Sequence, residues 1–286
     1  MFICYITLFI FSLFNIISPS PYPIAILHGF GASCGGHYDL TFISNLNIRL
    51  YPTYIKCIES GGGIDSVTMS ILAQSKQACD IINSDSNFHG NFSIITLSQG
   101  ALIARYLITQ CPLKGTVRRL VTIGGPLMGV SMVPKCIHGS ICYALKKFAG
   151  LFSRTKYVQD NIGPAGYYFD NTKRGASTEF LDLINNVQRD ESVRSKMLQL
   201  EKMVLIKYHN DTMIYPKETA WFEMLDENEK LIRYNETTLY KEDLIGLKEL
   251  NENGKVEFVA LYGEHMEYTM EDLDNYVLPP LLYKSK

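Results

Sequence analysis

Five short, largely apolar runs stand out along the chain, and each stops abruptly at a polar or glycine-bearing loop. Ile24 to Leu27 ends at His28-Gly29-Phe30-Gly31. The run containing Phe92, Ile94, Ile95 and Leu97 ends at Ser98-Gln99-Gly100, and "VRRLVTI" ends at Gly124-Gly125-Pro126. Met203 to Tyr208 ends at His209-Asn210-Asp211, and Val256 to Leu261 ends in the loop that carries His265. Runs this short, bounded by turn residues, read as strands buried on both faces. "IRLYPTYIKCIESGGG" reads as a further strand with a turn at Gly61 to Gly63. Helical spacing appears between the runs. In residues 65–83, Val67, Ile71, Ser75 and Ala78 share one face, with Asp65 or Ser66 as a start cap. After Gly100, apolar residues recur at three and four up to Cys111-Pro112. From about 128 to 200 the pattern loosens into glycine, proline, aromatic and short apolar segments, read here as a mostly helical insertion over the sheet. A final helix or extended tail closes the chain. Alternating strands and helices predict an α/β fold with a mostly parallel central sheet, its functional loops at the carboxyl ends of the strands.

The first twenty residues change the picture of where the protein goes. They are apolar to about Ile17, carry no charge, and turn to serine and proline. That pattern predicts a signal peptide over 1–20, leaving 21–286 as a single domain. A buried N-terminal helix or a short membrane anchor would share the composition. Of the seven cysteines, Cys4 would leave with the signal, and six suit an oxidising compartment. Sequons occur at Asn91, Asn210 and Asn235; the one at Asn91 sits at a strand start. The net charge is −2 and no basic stripe runs along the chain, which argues against a nucleic-acid partner. Zinc spacing, a phosphate-cradling Gly-Lys loop and paired carboxylate motifs are lacking, so neither a metal nor an organic cofactor is expected.

A serine at a sharp strand-to-helix break has two readings. It can cap the helix, or it can be a nucleophile held up on an elbow. Thr96, standing where such an elbow has its first glycine, favours the cap; Gln99-Gly100 and the abrupt end of the apolar run favour the elbow. A serine hydroxyl needs an imidazole to take its proton and a carboxylate to orient that imidazole. Ser98, Asp211 and His265 follow three different runs in that chain order, and parallel strands would bring their loops to one edge. Asp211 could instead be only a turn residue, His265 an exposed loop residue, and His209 is a rival base. The backbone N–H groups of Gln99 and Phe30 are the expected oxyanion donors. His28-Gly29-Phe30-Gly31 could also be a plain tight turn.

Together "LHGFGASC", "LSQGALIARYLITQCP", "IGGPLMGV", "VPKCIHGSIC", "YHNDTMIYPKETAWF", "ETTLYKEDLIGLKELNENGKVEF" and "GEHMEY" resemble the palmitoyl-protein thioesterase family, most closely its lysosomal type, over nearly all of the chain after the signal. The resemblance implies an α/β-hydrolase fold, with Ser98 as nucleophile, Asp211 as acid, His265 as base, and Phe30 and Gln99 as oxyanion donors. It implies disulfides Cys79–Cys111 and Cys136–Cys142, and a glycan on Asn210. Three departures stand against the family pattern. Thr96 replaces the elbow glycine. Phe30 replaces a methionine, which leaves the backbone N–H unchanged. Gly35 replaces a second cysteine beside Cys34, so Cys34 and Cys57 either pair with each other or remain free thiols.

The expected activity is hydrolysis of long-chain fatty acyl thioesters on protein or peptide cysteines, with the insertion forming an acyl-binding region. The expected partners are S-acylated proteins or peptides, with at most transient membrane contact. Secretion is what the leader itself supports; lysosomal residence is implied by the resemblance. A lipase or carboxylesterase acting on oxygen esters would carry the same triad, and a silent lipid-binding protein the same fold.

Overall fold

β1 (Ile24–Leu27) is wholly buried, as its unbroken apolar composition demands, and it starts the central sheet. In the computed structural model, which describes residues 21–131, 155–169 and 177–282, β1 is joined by β2 (Ile55–Ile58), β3 (Asn91–Leu97), β4 (Thr116–Ile123), β5 (Lys202–Tyr208) and, near the end of the chain, β8 (Val256–Leu261). The order is β2-β1-β3-β4-β5-β8 and every pairing is parallel. Alternation along the strands separates two cores. Ala25, Leu27, Ile94 and Leu205 point to one face; Ile24, Ile26, Ile95 and Val204 point to the other.

α1 (His37–Leu50) covers the second face with Phe42, Leu46 and Leu50, spaced by four. This helix absorbs Ile48 to Leu50, which the sequence assigns to a strand. The reason is the stripe begun at Phe42: it carries the chain helically to Leu50, and Pro52 then ends it. The strand shrinks to the four residues of β2 at the sheet edge. The helix expected over 65–83 is two helices, α2 (Asp65–Thr68) and α3 (Ile71–Ser84). The break falls at Ser70, whose hydroxyl accepts the Ala73 N–H at 3.2 Å and caps α3. Neither Asp65 nor Ser66 serves as that cap.

α3 and α4 (Gly100–Thr109) pack on the first face. The described parts of the segment between β4 and β5 lie over the same face. They hold α5 (Lys156–Asn161), a 3-10 turn at Gly163–Tyr167, α6 (Glu179–Ile184) and α7 (Glu191–Met197). Tyr167, Phe180, Leu181, Ile184 and Met197 are buried in the core with α3 and α4. A buried cation ties this segment to α4. The Arg105 guanidinium donates to Leu127 O at 2.6 Å, Ile184 O at 2.7 Å and Asn185 Oδ1 at 2.9 Å. Burial draws its pKa down to about 9; the three oxygens hold it in place.

After β5 come a small antiparallel pair, β6 (Met224–Leu225) and β7 (Leu231–Ile232), then α8 (Thr238–Lys241), α9 (Leu247–Glu252) and β8. α10 is a helical run from Met270 to Leu282 with a π turn at Leu273–Val277. It packs beside α1 through Leu273, Val277 and Leu281. Parallel sheet and flanking helices make this an α/β-hydrolase arrangement. Among the described residues no helix is long and apolar enough to cross a membrane.

Two disulfides fasten the frame. Cys79–Cys111 joins α3 to the end of α4. Cys34 and Cys57 are paired, so the loop after β1 is bonded to β2. Cys136 and Cys142 lie outside the described residues, as does the leader 1–20.

Candidate active site

The chain runs from β1 outward to β2 in one direction, and from β3 through β4 and β5 to β8 in the other. The direction reverses between β1 and β3, where parallel sheets open a crevice at the carboxyl ends of their strands. The loop with Phe30 follows β1, and Ser98 follows β3.

Ser98 sits on a strained turn with φ of +50°, unusual for a residue bearing a Cβ. Its N–H bonds to Ile123 O at 2.9 Å, and the helix starts two residues later. The threonine in place of the elbow glycine does not prevent this. Thr96 is still inside β3, paired with Leu27 and Thr122 and fully buried. Among the described residues its hydroxyl finds no partner. The steric demand falls on Gly100 instead. A Cβ there would lie 2.5 Å from Leu27 O and 2.9 Å from Leu27 C, both main-chain atoms of β1. Gly100→Ala is therefore expected to destabilise the protein by about 3 kcal/mol, as overpacking against main chain does. Thermal unfolding checks it, with the melting temperature about 5–10 °C lower.

His265 brings the other two residues to Ser98. Its Nε2 lies 2.9 Å from Ser98 Oγ and its Nδ1 2.6 Å from Asp211 Oδ2. A carboxylate only accepts, so Nδ1 carries the proton and the Nε2 lone pair faces the serine hydroxyl. The other carboxylate oxygen, Asp211 Oδ1, accepts the N–H groups of Met213 and Ile214, each at 2.9 Å. The acid is thus held at both oxygens.

Hydrogen bonds continue the β5–β8 pairing beyond the strands and align the two loops. His209 N–H donates to Leu261 O at 2.9 Å and Asn210 N–H to Gly263 O at 3.1 Å. Thr212 Oγ1 bonds Glu264 Oε2 at 2.9 Å. From α1, the Tyr38 hydroxyl donates to Met266 O at 2.8 Å. His209, the rival base, turns outward and stacks on Tyr262 with ring centroids 4.8 Å apart. Asn91, Asn210 and Asn235 are all exposed.

The loop after β1 makes a turn closed by Ala32 N–H to Gly29 O at 3.3 Å, with Phe30 and Gly31 at its centre. Gly31 has φ of +72°, the conformation a type II turn demands of its third residue. Gln99 is the residue before α4, where main-chain N–H groups lack helical acceptors. Among the described residues neither the Phe30 nor the Gln99 N–H donates a hydrogen bond inside the protein.

The sequence reading missed what lies beneath these donors. Gln74, Ser66 and the Gln99 side chain are buried together and hydrogen-bonded, and Tyr167 completes the set. One signal was available: Gln74 falls on the core-facing stripe of α3, between Ile71 and Ala78, where an amide needs internal partners. Among the described residues no group of histidine, cysteine or carboxylate side chains could hold a metal ion.

Such a site can move a proton from a serine hydroxyl to an imidazole. The chain is similar to known proteins. The family described as palmitoyl protein thioesterase matches residues 23–265. Palmitoyl-protein thioesterase 1 of Caenorhabditis elegans is 28% identical over 269 residues, covering 90% of each chain. Palmitoyl-protein thioesterase 3 of Dictyostelium discoideum is 25% identical over 272 residues, covering 91% of this chain and 92% of its own. A lysosomal thioesterase PPT2 homolog of Drosophila melanogaster is 28% identical over 224 residues, 73% of this chain and 75% of its own. The chain belongs to the palmitoyl protein thioesterase family of enzymes.

Proposed function

We propose that the protein hydrolyses long-chain fatty acyl thioesters, palmitoyl groups on protein or peptide cysteines among them, through an acyl-enzyme on Ser98. The observation that carries this reading is the relay from Ser98 Oγ through His265 to Asp211, at 2.9 and 2.6 Å, in a chain of this family.

Ser98 Oγ attacks the thioester carbonyl while His265 Nε2 takes its proton. Asp211 holds the ring and stabilises the imidazolium that forms. The N–H groups of Phe30 and Gln99 receive the oxyanion, the second reinforced by the start of α4. Collapse breaks the C–S bond. The thiolate leaves with the proton from His265, and the acyl group stays on Ser98. Water then loses a proton to the same Nε2 and attacks the ester; the bond from the acyl carbon to Ser98 Oγ breaks, His265 returns the proton to that oxygen, and the fatty acid is released.

The fatty chain binds along the segment between β4 and β5, part of which lies outside the described residues. Each methylene it buries contributes about 0.8 kcal/mol. Two disulfides among the described residues and the exposed Asn210 and Asn235 support passage through an oxidising, glycosylating compartment. The lysosome is the proposed destination, with Cys136 and Cys142 as a further pair.

Turnover by the purified protein of a palmitoylated-cysteine peptide, beside the matching serine oxygen ester, tests the reading. A kcat/KM higher for the thioester by about tenfold or more is expected, because the thiolate leaves more readily than an alkoxide. Preference for the oxygen ester would make it a lipase or carboxylesterase. No turnover of either, with no labelling by a fluorophosphonate, would make it a silent lipid-binding member of the fold.

A further inference from the structure

Phe30 and Gln99 come from different elements, so nothing covalent fixes the distance between their N–H groups. A two-donor oxyanion site needs that distance held to about 0.5 Å. A chain of buried hydrogen bonds connects the two segments. Ser66, in α2, accepts the Gly31 N–H at 2.7 Å and donates to Gly63 O at 2.6 Å. This bond fixes the peptide plane next to the one that carries the Phe30 N–H. Gly63 N–H in turn bonds Ala32 O at 2.7 Å, which braces the far side of the turn. Gln74 Nε2 donates to Ser66 O at 3.1 Å and to Met69 O at 2.8 Å. Gln74 Oε1 accepts from Gln99 Nε2 at 2.8 Å, and Gln99 Oε1 accepts from the Tyr167 hydroxyl at 3.0 Å.

The direction of every bond is determined. Gln74 faces two carbonyl oxygens on one side, so its own NH2 must lie there and its oxygen must face Gln99. Gln99 must then present its NH2 to Gln74, which leaves its oxygen for Tyr167. Ser66 and Gln74 have no exposed surface, Gln99 has 1% and Tyr167 has 6%. A buried network with all its groups satisfied has one low-energy arrangement, since any shift would leave a polar atom unpaired.

We propose that Gln74 is a positioning residue for oxyanion stabilisation. It grips the Ser66 carbonyl with its NH2 and the Gln99 side chain with its oxygen, and so sets the separation of the Phe30 and Gln99 N–H groups. Tyr167 ties that setting to the segment between β4 and β5. The inference rests on the reading of Ser98 as nucleophile with these two amides as donors.

Oxyanion bonds are strongest in the transition state, so displaced donors lower kcat and spare KM. Both acylation and deacylation pass through an oxyanion, so kcat falls whichever step is slower. Gln74→Met keeps the volume and removes all three bonds of the amide. With one donor displaced rather than deleted, kcat for p-nitrophenyl butyrate is expected to fall about 10- to 100-fold, with KM within about twofold. A long-chain trifluoromethyl ketone forms a hemiketal oxyanion on Ser98, and its inhibition constant should rise in proportion. An unreactive thioether of the same chain should bind as to wild type. Tyr167→Phe removes only the last bond; it should move kcat and the ketone the same way by about three- to tenfold, and it decides the matter if Gln74→Met does not fold. Unchanged kcat in a folded variant overturns the inference. So does equal weakening of ketone and thioether, which marks a general loosening of the site. If Ser98→Ala is inactive while Gln74→Met keeps full activity, this inference alone fails. If Ser98→Ala is as active as wild type, the functional reading fails and takes the inference with it.

Discussion

Ser98→Ala is expected to lower kcat by about 10⁶-fold, close to 8 kcal/mol of transition-state stabilisation. The size follows from what is lost: the attacking oxygen itself, which sits 2.9 Å from Nε2 of the only imidazole aimed at it among the described residues. Phe30 and Gln99 would still polarise a bound carbonyl, so a residue of catalysis over water remains. Folding should be unaffected. Alanine and serine meet the same strain at φ of +50°, and among the described residues the lost hydroxyl was engaged only with His265. Single-turnover hydrolysis of a palmitoyl thioester, with unfolding followed in parallel, measures both. A variant keeping more than about 1% of wild-type kcat would place the nucleophile elsewhere.

Asp211→Asn is expected to cost about 10⁴-fold in kcat while leaving the melting temperature nearly unchanged. The surroundings dictate which way the new amide points. Two main-chain N–H groups, of Met213 and Ile214, converge on Oδ1, so the amide oxygen must occupy that position. The NH2 then faces His265 Nδ1, where Oδ2 had been, 2.6 Å away. A donor at that point requires Nδ1 to accept, which moves the ring proton to Nε2. Nε2–H then faces Ser98 and can no longer take its proton. The steady-state rate at neutral pH is the measurement. A loss below about tenfold would mean that the carboxylate is not setting the tautomer.

Much of this arrangement is legible in the chain. Apolar runs bounded by turn residues locate β1, β3, β4, β5 and β8 to within a residue or two, because strands packed under helices are largely apolar, even β8, which is only half-buried at the sheet edge. Three of the loops that follow hold Ser98, Asp211 and His265, and parallel pairing has no choice but to gather them at one edge. α1 was hidden for the opposite reason. Exposed apolar residues such as Leu40 and Ile48 blur its inner stripe, and Ile48 and Leu50 merge by eye with the strand beyond Pro52. Gln74 was hidden because an amide on a core-facing stripe announces a need for partners and not their identity.

By itself, then, the sequence determined where most of the strands lie along the chain and the edge at which the chemistry collects, since burial and chain polarity are written in residue type and spacing. The tertiary structure decided what proximity alone can settle. It turned His265 inward and stacked His209 on Tyr262. It closed Cys34 onto Cys57. It kept Thr96 inside the paired strand and drew α4 against β1 at Gly100. Each of these depends on which atoms from distant segments come within a bond's length, and that distance is set by packing across the sheet, not by position along the chain.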